Sequence, residues 1–224
     1  MSTLLETVEQ ETGPRPEWTV LWLHGLGADG HDFAPIVPEL VRPHWPALRF
    51  VFPHAPVRPI TINNGVRMRG WYDIAGADFA NRADAAGVAE SIEQVEALIA
   101  RETERGVPPN RVLLAGFSQG GAITLAVGAR REVPLAGLIA LSTYLPDPAA
   151  LSSYGTAEAK AQPVFASHGS YDPVVPFAVG QASAQALQQA GYAVEWHTYP
   201  MGHQVCAEEI ADLTRWMDAR FNAG

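Results

Sequence analysis

Gly116-Phe117-Ser118-Gln119-Gly120 fits the pattern G-x-S-x-G, which sets a serine on a sharp turn between a strand and a helix. A serine held that way can attack a carbonyl carbon, provided a base takes its proton. Five residues are few, so the surroundings decide. The apolar run Val112-Leu113-Leu114-Ala115 precedes the motif, and Gly121-Ala122-Ile123-Thr124-Leu125-Ala126 follows it with a helical composition. That is the strand–turn–helix setting the chemistry requires. The plainer alternative is a strand-to-helix turn capped by a serine. Both glycines fit the first reading, because a Cβ two positions from the serine would meet the tightly returning chain. The helix start would also turn N–H groups and a positive dipole end toward a developing oxyanion.

A serine nucleophile on such a sheet is followed in sequence by an acid and then a histidine. His168, His197 and His203 lie downstream. His203 falls in Pro200-Met201-Gly202-His203-Gln204, between the last strand and the last helix, where a loop gives a general base its reach. His197 lies inside a strand pattern and reads as a packed or surface residue. His168 closes a strand and would need its acid earlier in the chain. The acid expected is Asp172, in Gly169-Ser170-Tyr171-Asp172-Pro173. Its rival is Asp147, and its bland reading is an Asp-Pro turn or helix cap. Asp172 lies one strand ahead of His203, where it would fix the imidazole tautomer and stabilise the imidazolium.

Acyl transfer also needs two N–H groups aimed at the oxyanion. The residue after the nucleophile, Gln119, is one candidate. The other comes from the loop after an early strand, here His24-Gly25-Leu26-Gly27-Ala28-Asp29-Gly30, with Leu26 as the donor. A phosphate cradle competes for this glycine-rich run, but it has neither the P-loop lysine nor G-x-G-x-x-G. His24 reads as a hydrogen-bonding residue of the turn. The histidines are scattered and no H-E-x-x-H or C-x-x-C occurs, so no metal is expected. Cys206 reads as a small core residue at the start of the last helix, in preference to a thiol partner of His203.

The elements that must position these residues alternate along the chain. Strands are predicted at Trp18–Leu23, Leu48–Phe52, Val112–Gly116, Leu138–Leu141, Val164–Ser167 and Val194–Tyr199. Several are continuous apolar runs, as in parallel strands covered on both faces. Val88, Ile92, Val95 and Ile99 form one helical stripe behind Asp84, a candidate N-cap. Further helices are predicted over Ile123–Arg130, over Phe177–Ala190 before Gly191, and along Cys206, Ile210, Leu213 and Met217. The pattern predicts an α/β fold: a mostly parallel, doubly wound sheet with helices on both faces. One domain over 1–224 is expected, with 1–16 a peripheral strand or tail. The stretch 54–82 is too long for an ordinary loop. Asn64-Gly65 within it signals a short hairpin, and Trp71-Tyr72 and Phe79 give it bulk, so it reads as a folded flap over the strand ends.

Composition narrows the function classes. The 224 residues carry 15 basic and 24 acidic side chains, a net charge of −9. That balance opposes nucleic acid or anionic lipid as the main partner. No apolar run reaches the roughly 18 residues of a membrane helix, so stable membrane insertion is not expected. The first residues, MSTLLETVEQETG, have no basic n-region, and a single cysteine allows no internal disulfide. A cytoplasmic setting is the expectation.

The motifs together resemble the phospholipase/carboxylesterase family, which includes acyl-protein thioesterase-like enzymes and small bacterial carboxylesterases. The resemblance rests on Leu23-His24-Gly25-Leu26-Gly27-Ala28-Asp29-Gly30, Thr61-Ile62-Asn63-Asn64-Gly65, Trp71-Tyr72-Asp73, Gly116-Phe117-Ser118-Gln119-Gly120-Gly121, Leu141-Ser142-Thr143-Tyr144-Leu145-Pro146 and Gly202-His203-Gln204-Val205-Cys206. It implies an α/β-hydrolase fold, with Ser118, Asp172 and His203 as a triad and Leu26 and Gln119 as oxyanion donors. It also implies cofactor-free hydrolysis of a small acyl ester or thioester and, in many members, a homodimer. A serine peptidase on the same fold and a silent acyl-binding protein are the competing classes. Trp71, Leu26 and Val175 are expected to line an apolar acyl pocket. The chain departs from the family at Arg69-Gly70, before Trp71, where Ser or Ala is usual. With Arg67 nearby, this offers either a site for negative charge or two solvated flap residues.

Overall fold

The computed structural model of the chain describes residues 4–79, 82–154 and 156–222. Residues 1–3 of the expected tail and 80 and 81 of the expected flap therefore lie outside the described residues. The strands are β1 (Thr7–Glu11), β2 (Trp18–Leu23), β3 (Leu48–Pro53), β4 (Val57–Ile60), β5 (Val66–Arg69), β6 (Val112–Phe117), β7 (Gly137–Leu141), β8 (Val164–Gly169) and β9 (Val194–Tyr199). The helices are α1 (Val37–Leu40), α2 (Ala85–Glu104), α3 (Gln119–Arg130), α4 (Ala150–Ser153), α5 (Ala157–Lys160), α6 (Phe177–Gln189) and α7 (Ala207–Phe221).

Seven strands form one sheet in the order β1-β3-β2-β6-β7-β8-β9. β1 pairs antiparallel with β3, and all other neighbours are parallel. Alternation along a strand sends successive side chains to opposite faces. Leu21 and Leu23 thus join the core under α2, α3 and Trp71. Val20 and Trp22 join the second core, with Phe50, Phe52 and Trp216 of α7. Both faces of the central strands are dry, which explains their unbroken apolar sequence.

At the N-terminal ends of the strands a buried carboxylate ties β2 and β3 to α2. Glu102 is fully buried and accepts from Arg49 (2.8 Å), Arg105 (3.0 Å) and the Thr19 hydroxyl (2.8 Å), with Arg101 at 3.2 Å. Three guanidinium groups and a hydroxyl offset the cost of burying this charge. The opposite, C-terminal edge is left to the loops after β2, β6, β7, β8 and β9.

Two expectations change in detail. The helix after the motif begins at Gln119, four residues earlier than Ile123. The Gly120-Gly121 pair is a poor helix former alone, but close packing against neighbouring backbone and Thr143 overrides that propensity. The stretch 54–82 is also only partly a flap. β4 and β5 form the hairpin, turning through a 3-10 segment and left-handed Asn64 and Gly65. Trp71 and Tyr72 instead enter the core with no exposure. Among the described residues no helix is long and apolar enough to cross a membrane.

Candidate active site

β6 runs from the sheet centre straight into Ser118. The serine adopts φ 54° and ψ −120°, a conformation that costs a non-glycine residue about 1–3 kcal/mol. Its N–H donates to the Leu141 carbonyl at 2.9 Å, and the Thr143 hydroxyl donates to its carbonyl at 2.6 Å. The end of β7 thus holds the strained turn. A Cβ on Gly116 would sit 2.4 Å from the Gly120 carbonyl, and one on Gly120 would sit 2.3 Å from the Leu23 carbonyl. Both positions exclude any side chain, as the motif implied.

Two further loops converge on the serine. His203 Nε2 lies 2.9 Å from Ser118 Oγ, and His203 Nδ1 lies 2.7 Å from Asp172 Oδ2. A carboxylate only accepts, so Nδ1 carries the proton and Nε2 faces the serine hydroxyl as acceptor. The Asp172 side chain is fully buried. Its other oxygen accepts from the N–H groups of Val174 (2.8 Å) and Val175 (2.9 Å). The Tyr171 N–H donates to Met201 at 3.1 Å and the Ser170 N–H to Tyr199 at 2.8 Å, stitching the Asp172 loop to the His203 loop. The Phe117 ring packs on the His203 imidazole with centroids 4.7 Å apart.

The loop after β2 passes beside the serine: a Cβ on Gly25 would lie 3.5 Å from Ser118 Cβ. The Gly27 and Ala28 N–H groups are engaged, by Arg69 at 2.8 Å and Gly25 at 3.3 Å. Gln119 opens α3, where N–H groups have no intrahelical acceptor. His24 shapes this loop. The Ala55 N–H donates to its Nε2 at 3.1 Å, so Nδ1 bears the hydrogen and donates to the Gly25 carbonyl at 2.7 Å. Burial pushes its pKa down to about 4, so the ring is neutral near pH 7.

Of the three residues expected to line an acyl pocket, only Leu26 reaches the surface. Trp71 has no exposure and Val175 only 2%. The Trp71 indole turns inward to donate to the His24 carbonyl at 2.9 Å. Val175 is held by its backbone to Asp172 and His168. Arg67 donates to the Val57 carbonyl (3.2 Å) and Arg69 to the Ala55 carbonyl (2.9 Å), so both guanidinium groups are tied to the hairpin and its approach. Cys206 is the half-exposed cap of α7 and not a core residue, because the helix starts one position later. Asp147 lies 3.7 Å from Arg130, away from the histidine, and His197 stacks on Phe165 and contacts Glu195 at 2.8 Å. Among the described residues no group of three or more His, Cys, Asp or Glu could hold a metal ion.

Three supporting side chains had no clear sequence signal. The Gln119 amide bridges Trp71 and Tyr72, His168 flanks Asp172, and Glu209 accepts a hydrogen bond from Ser167 beneath the His203 loop. Burial pushes the Glu209 carboxyl up to about 7, against the pull of the Ser167 hydroxyl and the Cys206 N–H.

A mostly parallel sheet with helices on both faces, carrying a serine on the strand-to-helix turn at its centre, is an α/β hydrolase. The family model described as Phospholipase/Carboxylesterase matches residues 5–220, and the chain belongs to that family. It is 37% identical over 226 residues to acyl-protein thioesterase 1 of Mycosarcoma maydis, covering 94% of each chain. To the Neurospora crassa protein of that name it is 39% identical over 216 residues, covering 90% of this chain and 86% of the other. The crystal structure of Arabidopsis thaliana SOBER1 superposes with a TM-score of 0.85 at 35% identity, covering 91% of this chain and 98% of that one.

Proposed function

We propose that this chain hydrolyses carboxylic esters and thioesters through an acyl-enzyme on Ser118. His203 takes the Ser118 proton as Oγ attacks the acyl carbon. The Leu26 and Gln119 N–H groups hold the oxyanion. The C–O or C–S bond breaks, and His203 returns the proton to the departing alkoxide or thiolate. A water molecule, deprotonated by His203, then attacks the acyl-enzyme; the Oγ–acyl bond breaks, His203 returns the proton to Ser118 Oγ, and the carboxylic acid leaves. Asp172 keeps the imidazole in the tautomer that accepts and stabilises its charged form.

The observation that carries this reading is the unbroken contact Ser118–His203–Asp172, at 2.9 and 2.7 Å. The fixed Gly25–Ser118 approach and the engaged Gly27 and Ala28 N–H groups support Leu26 as the second donor. Leu26, at the surface, is the one expected pocket residue positioned to meet an acyl group. The relatives named for thioesterase and carboxylesterase activity support both bond types.

The test is turnover of p-nitrophenyl esters and acyl thioesters of graded length, alongside peptide substrates and fluorophosphonate labelling. Ester or thioester turnover with label on Ser118 and no peptide cleavage is expected. An unlabelled Ser118, or turnover of peptides alone, overturns the proposal.

A further inference from the structure

His168 takes no part in the proton path, yet it stands on the acid. Its Nε2 lies 3.4 Å from Asp172 Oδ2, the same oxygen that His203 Nδ1 meets at 2.7 Å. One carboxylate oxygen thus has two imidazoles within 3.4 Å. The Val175 carbonyl accepts from His168 Nε2 at 2.8 Å, which closes the 168–175 turn around Asp172. Nε2 therefore carries the hydrogen, and Nδ1 is a bare lone pair. That Nδ1 is buried and has no hydrogen-bond partner among the described residues. It lies against α6 where a Cβ on Gly180 would come within 2.3 Å of it.

The ring is thus locked on every side. β8 supplies its backbone, α6 offers Gly180 and Phe177, and β9 offers Trp196, whose ring lies 6.2 Å away between centroids. The titratable groups acting on it are Asp172 and His203. A second proton would place an N–H against Gly180 with no acceptor, and burial accordingly holds its pKa below the usual imidazole value. A neutral ring spends its one N–H on the Val175 carbonyl and adds no charge beside the His203 imidazolium.

We infer that His168 is a positioning residue for the proton relay: its N–H holds the Val175 carbonyl, and with it the turn whose Val174 and Val175 N–H groups grip Asp172, so that the carboxylate stays turned toward the imidazole it orients. The inference rests on the reading of Asp172 and His203 as acid and base. Asp172 Oδ1 is already held by two backbone N–H groups. The His168 hydrogen bond to the Val175 carbonyl keeps those two donors in place.

The test compares His168→Leu, which fills the space without a donor, with His168→Gln, whose amide NH₂ reaches the position of Nε2. Kinetics use p-nitrophenyl butyrate, with active sites counted by fluorophosphonate labelling. His168→Leu should lower kcat per labelled site about 10- to 100-fold, with KM near the wild-type value. The acid limb of its pH–rate profile should move to lower pH, because a less firmly held carboxylate stabilises the imidazolium less. His168→Gln should recover most of kcat and the wild-type profile. Wild-type kcat in His168→Leu overturns the inference, as does a loss that moves no pH limb and is not relieved by glutamine. If His168→Leu does not fold, Gly180→Ala takes its place, pushing the ring off the Val175 carbonyl. Wild-type kinetics in that variant also overturn the inference. His203→Ala separates the two levels. Full activity there refutes the relay itself, whereas an inactive His203→Ala beside an unaffected His168→Leu refutes only the role of His168.

Discussion

The Gln119 side chain holds Trp71 and its neighbour to the Ser118 turn: Oε1 accepts the Trp71 N–H at 2.8 Å, and Nε2 donates to the Tyr72 carbonyl at 2.8 Å. Gln119 is 2% exposed and both partners are fully buried, so no water is at hand to replace it. Gln119→Ala leaves a buried donor and a buried acceptor unmet. The expected loss is about 2–4 kcal/mol, read as a lower urea midpoint at unchanged slope. An unchanged midpoint refutes the latch.

Gly120 tests the turn from its backbone side. A methyl there would meet the Leu23 carbonyl at 2.3 Å and the His24 carbonyl at 2.6 Å, both rigid backbone. Gly120→Ala should destabilise the protein by about 3 kcal/mol or more and remove fluorophosphonate labelling. A folded, fully labelled Gly120→Ala would contradict the described turn.

Glu209 gives stability a pH slope. Its carboxyl is raised from the ordinary 4.5 to about 7 by burial, so the folded chain binds this proton more tightly than the unfolded chain. Its contribution is present below about pH 4.5 and is lost as pH rises through about 7, on the order of 3 kcal/mol in all. Glu209→Gln should therefore fall in stability less steeply with rising pH than the wild type between pH 5 and 7. Parallel wild-type and variant curves, from urea unfolding at several pH values, would refute the shift.

His24 acts in the opposite direction. Burial lowers it from the ordinary 6.5 to about 4, so the unfolded chain takes up the proton first. Its contribution is complete above about pH 6.5 and is lost as pH falls through about 4. Replacement by Gln, which cannot titrate, should make the protein less sensitive to acid across that window than the wild type. An equal acid sensitivity in the two proteins would contradict a neutral His24.

The sequence carried the strand–turn–helix around Ser118, the order of Ser118, Asp172 and His203 that the fold brings into contact, and every parallel strand of the sheet. Those features are local or follow from side-chain period: Gly116 and Gly120 flank Ser118 within two positions, and the buried strands read as apolar runs. Trp71 and Val175 are more deeply buried than the sequence alone indicates, because burial depends on partners far along the chain. The Trp71 indole answers to His24, 47 positions earlier. Asp84 was readable as a cap, and its side chain does accept from the Ala86 and Gly87 N–H groups. The contact of His168 with Asp172 was not, since four positions in a loop do not reveal which way the chain turns. Glu102 sits on an apolar helix face as an apparent exception until Arg49, 53 positions earlier, is brought against it.

The most direct test of the relay is the turnover of p-nitrophenyl butyrate by Ser118→Ala, measured beside its thermal unfolding. The account predicts a loss of about 10⁴-fold or more in kcat with the unfolding temperature essentially that of the wild type. A folded Ser118→Ala protein that keeps a substantial part of the wild-type rate would contradict it.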